Sequence, residues 1–143
     1  MKIGVDVRSL SEPLNGIGRY TLCLLEKMTA HNSHEWVFYS HKPLIHGKWD
    51  QTNIKIRTMT LPLRIKGLYL AWLQVILPFW LKQDQIDLFW SPAHRLPKFM
   101  PRSIIKVITV HDLVWRYFPE TMRPFGKIID SKIMPYSIRI ADK

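Results

Sequence analysis

The residues that could do chemistry fall into three groups. Asn15-Gly16-Ile17-Gly18-Arg19-Tyr20 sets two glycines close together, after an apolar Ile3–Val7 segment and ahead of a run with helical periodicity. A strand feeding a helix through such a loop points free backbone N–H groups and the positive end of the helix dipole at one spot, which suits a phosphate. A side chain at either glycine could block the ligand or forbid a positive φ. Arg19 stands at the unfavourable end of the dipole, a loss of about 0.3–1 kcal/mol that a bound anion would offset. The alternative is a tight strand-to-helix turn with a solvated Arg19. The other two groups are His94-Arg95 and His111-Asp112, each just past an apolar segment of strand type. Two phosphate-binding motifs can be set aside. The dinucleotide fingerprint lacks its third glycine, where Thr21 or Leu22 stands, and Glu35 comes before the second strand instead of closing it. A P-loop needs a Gly-Lys-Ser/Thr triplet, and the sequence has none.

The elements that would position these groups can be read along the chain. Strands are predicted at Ile3–Val7, Trp36–Ser40, Ile54–Thr58, Ile86–Trp90 and Ile104–Val110. Ile54–Thr58 alternates with period two, so it should have one wet face and lie near a sheet edge. A first helix should present Ile17, Tyr20, Leu24, Leu25 and Met28 on its apolar face. Met122–Ile140 is helical in pattern, with Pro124 near its start and Pro135 interrupting it. The most apolar stretch, Gly67 to Leu81 between Lys66 and Lys82, is too short for a membrane span of about 20 residues. Pro78 should bend or end its helix. A buried core helix is the favoured reading; a helix on a membrane surface and a contact for a partner domain are the alternatives. Alternation of strand and helix, with continuously apolar strands, argues for an α/β, doubly wound parallel sheet. Ligands in such sheets sit beyond the carboxyl ends of the strands. The glycine loop, His94-Arg95 and His111-Asp112 should therefore converge on one edge.

Composition bounds the partners. The 143 residues suffice for one core, and the net charge of +10 favours polyanions: nucleotide sugars, acidic lipid head groups or nucleic acid. No nucleic-acid recognition motif accompanies the charge, so nucleic acid is not expected as a partner. Cys23 is the only cysteine and should be a small buried residue of the first helix, without a disulfide or thiolate zinc site. His31, His34, His41 and His46 cluster in sequence without ligand-like pairing, and no metal site is expected. The N-terminus runs straight into a strand, so a cytoplasmic location is expected.

Gly-Ile-Gly-Arg-Tyr after an Asp-Val-Arg strand end, then Phe-Trp-Ser-Pro-Ala-His-Arg-Leu-Pro, then Val-Ile-Thr-Val-His-Asp-Leu-Val-Trp, resembles the N-terminal domain of a bacterial GT-B glycosyltransferase. The likeness is to the retaining, family 4, mannosyltransferase-like enzymes of surface-polysaccharide assembly, and it covers residues 1–143. It implies a Rossmann-like domain on the acceptor side of a cleft whose other wall, a C-terminal donor-binding domain, is absent here. Gly16, Ile17 and Gly18 would lend amides to the donor diphosphate, with Arg19 adding charge. His111 would lie beside the transferred sugar, and Asp112 would hold that histidine or contact sugar. His94 and Arg95 would line the acceptor side. The donor would be a nucleotide-diphosphate sugar, with no further cofactor, and the acceptor a glycan or lipid-linked glycan met peripherally at the inner face of the membrane. The family's paired glutamates, eight apart, are missing among Glu12, Glu26, Glu35 and Glu120. The chain is accordingly expected to be a fragment, a truncated frame or half of a split enzyme, inactive alone. The alternative is a non-catalytic phosphate-binding or membrane-associated module, or a pseudoenzyme.

Overall fold

The computed structural model describes residues 1–31, 33–59, 68–122 and 124–143. Five strands form one sheet: β1 (Lys2–Asp6), β2 (Glu35–Ser40), β3 (Ile54–Thr58), β4 (Leu88–Ser91) and β5 (Ile105–Ile108). Their order is β3-β2-β1-β4-β5, and every neighbouring pair is parallel. The doubly wound α/β sheet expected from the apolar strands is present. Its side chains alternate between two cores. Trp36, Phe38 and Trp90 enter one with Val5 and Leu25, whereas Val37, Tyr39 and Phe89 enter the other with Trp72, Leu77 and Leu81. Strands covered on both faces read as continuous apolar runs, which is why they were legible. β3 is an edge strand, as its period-two pattern predicts.

Helix α1 (Gly16–Met28) covers one face, but its inner stripe is Gly18, Thr21 and Leu25. Tyr20 and Met28 are exposed, and so is Cys23, contrary to the buried position expected for it. The helix is rotated from the apolar stripe because small residues occupy its closest approach, and Thr21 satisfies its hydroxyl on the Ile17 carbonyl at 2.8 Å. The other face carries α2 (Leu68–Ala71), a π turn (Trp72–Ile76) and α3 (Leu77–Gln83), run together end to end. Gly67 and Lys66, at the start of the predicted apolar run, lie outside the described residues. Trp72, Leu73, Leu77 and Leu81 are fully buried, which agrees with the core-helix reading. Pro78 does not end the helix. The Leu77 N–H reaches back to the Trp72 carbonyl, five residues away, and this widened turn makes room for the proline ring against the preceding turn.

Helix α5 (Pro124–Ile140) likewise runs through Pro135 instead of breaking there. Pro135 and Ser131, whose carbonyl loses its partner, both face solvent, where water can take the missing bond. A short α4 (Val114–Tyr117) precedes it. Asp142 and Lys143 lie along the outer edge of β5: Lys143 donates to the Lys106 carbonyl at 3.2 Å and accepts from the Ile108 N–H at 3.0 Å. No helix among the described residues is long and apolar enough to cross a membrane.

Candidate functional site

From β1 the chain steps one way to β2 and β3 and the other way to β4 and β5, so the order reverses between β1 and β4. At the carboxyl end of that switch point lies a cavity of about 450 Å³. The turn after β1 contributes Arg8 and Ser9, the start of α1 contributes Asn15 and Ile17, and β2 leads into His41. The turn after β4 brings His94 and Arg95; Tyr69 and Asp130 close the side. A cavity of about 490 Å³ also opens beside Met1 and Glu35, at the amino edge of the sheet, where none of the predicted site residues lies.

The loop before α1 works through its cap. Asn15 accepts from the Gly18 N–H through Oδ1 at 2.9 Å, and its carbonyl accepts from the Arg19 N–H at 2.9 Å. Gly16 and Ile17 open the helix, where their N–H groups have no intrahelical acceptor, and a Cβ on Gly16 would meet open space. Gly18 has its N–H already taken by the cap, where a free amide was expected. Its hydrogen faces packing instead: a Cβ there would come within 3.1 Å of the Ser9 carbonyl. Neither glycine needs a positive φ; among the described glycines that belongs to Gly47. Arg19 is exposed and does not line the cavity.

After β4, His94 is held in the left-handed region at φ 49°, an uncommon place for a side chain other than glycine. Ser91 Oγ donates to the Arg95 carbonyl at 2.9 Å and Ser137 Oγ of α5 accepts from the Leu96 N–H at 2.9 Å, pinning the turn from both ends. Burial, reinforced by the Arg95 charge, pushes the His94 pKa down to about 4, so the imidazole is neutral at pH 7. Its Nδ1 is buried without a partner among the described residues, as is that of His41. The His41 pKa is also lowered, by burial and then by Lys42 and Arg8. Arg95 is committed: Nε donates to Asp130 Oδ1 at 2.8 Å and Nη1 to the Tyr69 hydroxyl at 2.8 Å.

His111 and Asp112 lie just outside this cavity, beyond β5. The His111 Nε2 sits 2.8 Å from the Pro92 carbonyl, so in the neutral ring that nitrogen carries the hydrogen and donates. The ring meets Tyr20 of α1 edge-on at 4.9 Å. Asp112 accepts from the Val114 N–H at 3.1 Å, opening α4, and makes no bond to His111. The predicted groups thus meet at one edge in two clusters: Ile17, His94 and Arg95 on the cavity, and His111 beside the turn that carries His94.

Arg8, Tyr69 and Asp130 were not read from the sequence as site residues, and His41 was weighed only for a metal site. Arg8 offered a signal, since it stands two residues past the buried Asp6 at a strand end. Its Nε lies 3.3 Å from Asp6 Oδ2, an ion pair without hydrogen-bond geometry. Comparison with protein-family models, with characterised proteins and with solved structures finds no match to this chain.

Proposed function

We propose that this chain is the acceptor-side domain of a retaining glycosyltransferase. It would act with a nucleoside-binding domain on a nucleotide-diphosphate sugar and a glycan or lipid-linked glycan acceptor of a surface polysaccharide. The observation that supports this reading best is one cavity at the β1/β4 switch point, shared by the start of α1 and the His94–Arg95 turn. In such a reaction charge develops on the departing diphosphate, and preorganised N–H donors stabilise it without reorganising. The amides of Gly16 and Ile17, at the positive end of a 13-residue helix, fit that task. His111 keeps Nδ1 for a sugar hydroxyl while Nε2 is tied to Pro92. His94, neutral at pH 7, can accept a hydrogen bond from an acceptor hydroxyl. The net charge of +10 suits work at the acidic inner face of a cytoplasmic membrane, touched peripherally.

Gly16→Pro tests the donor assignment. Gly16 is the first helical residue, where proline is tolerated and removes one N–H. Pyrophosphate titrated into the chain should move the Gly16 and Ile17 amide resonances. The variant should melt like the parent and bind pyrophosphate several-fold more weakly. Equal affinity in the two proteins would remove the assignment. With a panel of nucleotide sugars and lipid-linked acceptors, the chain alone should give no transfer, because half a substrate's binding cannot assemble the transition state.

A further inference from the structure

We infer that the switch-point cavity takes an oxyanion carried on a sugar, a carboxylate or a phosphate ester, with Arg8 as its two-pronged donor. The acceptor of the proposed transfer would then be an acidic sugar; that role rests on the glycosyl-transfer reading, whereas the oxyanion contact rests on Arg8.

Arg8 follows β1 in a short 3₁₀ turn and is only 9% exposed. Its Nε faces Asp6, while Nη1 and Nη2 are buried without a hydrogen-bond partner among the described residues. A buried guanidinium is expected to have its donors satisfied, and its planar fork matches the two oxygens of a carboxylate or phosphate. Arg95 on the same cavity shows the contrast, since its nitrogens are taken by Asp130 and Tyr69. The acids that line the cavity are committed as well: Asp130 to Arg95 and Glu12 to Lys42. Among the described residues lining the cavity, Arg8 is therefore the cation with donors to spare.

Four of the buried nitrogens without a partner among the described residues line this one cavity, on Arg8, His41 and His94; the others, on His34, Trp36, Trp72 and Trp115, do not line it. Beside Arg8 stand His94 and His41, each with a buried, unpartnered Nδ1, and either ring can donate one hydrogen bond to an anion. His94 is also the strained residue of the β4 turn, and strain of this kind is held where the surroundings over-determine it, commonly at ligand sites. The start of α1 adds its positive field through Asn15 and Ile17. About 450 Å³ lies within the range of roughly 300–1,000 Å³ usual for small-ligand pockets.

Calorimetric titration of the 143-residue chain with glucose 6-phosphate, D-glucuronate and glucose tests the inference. At least one of the two acids should bind with one-to-one saturation, and glucose should bind at least tenfold more weakly. Binding of the phosphate alone identifies a phosphate ester, and binding of the glucuronate alone a carboxylate. Arg8→Lys keeps a charge beside Asp6 but loses the fork, and should weaken the acid about tenfold with melting unchanged. Without any variant, the Arg8 Nε resonance of the parent should shift on saturation. Failure of both acids to saturate, glucose binding as tightly as they do, or a still Arg8 resonance would each overturn the inference. Loss of the acids with pyrophosphate binding retained removes the oxyanion pocket and leaves the donor site standing; the reverse removes the donor site and leaves the pocket.

Discussion

His94 ties backbone, burial and chemistry together at the scale of one residue. The same turn that holds it at φ 49° also buries it, and burial is the main reason its pKa falls from 6.5 to about 4. The sign of the consequence follows by linkage. Between about pH 4 and 6.5 the unfolded chain takes a proton on this ring and the folded chain does not. Stability is therefore complete above the unfolded pKa and declines as pH falls toward the folded one. His41, lowered for the same first reason, adds to the decline. Urea midpoints measured from pH 7 to pH 4 should fall, and His94→Asn, which tolerates the left-handed region, should flatten the curve. A midpoint curve that is the same in both proteins would show that His94 is not protected from protonation. Asp84 acts lower on the scale. Burial alone would raise its pKa, but hydrogen bonds from Arg57, Tyr39 and Lys55 outweigh burial and hold it below the usual carboxylate range. Its contribution is lost only as the pH drops through that lowered value.

At the scale of elements, two turns carry opposite stability consequences. Helix α3 is followed, after its cap Asp84, by Gln85 at φ 54°, whose N–H reaches the Lys82 carbonyl while the Ile86 N–H reaches Leu81, both at 3.2 Å. This is the Schellman arrangement, in which glycine is the usual occupant of the left-handed position. Gln85→Gly should raise stability by about 0.5–1 kcal/mol, the relief of left-handed strain less the added freedom of the unfolded chain. Gly18→Ala should do the reverse, losing about 1–3 kcal/mol by overpacking, because the methyl would press on the Ser9 backbone as well as on Leu14. Chemical denaturation of both variants reads these signs directly. The strands and the core helix were legible in the sequence because two-sided burial writes long apolar runs. The facing of α1 was not, since glycine and threonine at the contact carry no apolar signal. Pro78 and Pro135 misled for a local reason: one is absorbed by a π turn and the other faces water.

Across the whole molecule, the sheet places the glycine loop and the β4 turn together, as strand order alone would lead one to expect. What the sequence only hinted at was Arg8, because its place after Asp6 becomes informative once its neighbours are seen to leave its nitrogens unpaired. Stability should also be distributed unevenly along the chain. β1, β2 and β4 lie inside the sheet between two cores, while α4 and the turn Pro119–Thr121 contain no buried residue. The N–H groups of Arg116, Tyr117 and Phe118 are hydrogen-bonded at 2.9–3.1 Å, yet no buried side chain of α4 anchors them. Helices of one turn have little intrinsic stability, so these bonds should open locally while the sheet stays folded. Native-state hydrogen exchange should then show the Arg116–Phe118 amides exchanging far faster than that of Phe38, and insensitive to low urea. The Phe38 amide, in the middle of β2, should exchange only through global unfolding and respond steeply to urea. Comparable protection and urea dependence at the two places would mean that α4 unfolds together with the sheet, and the segment following His111 would have to be regarded as part of the rigid frame.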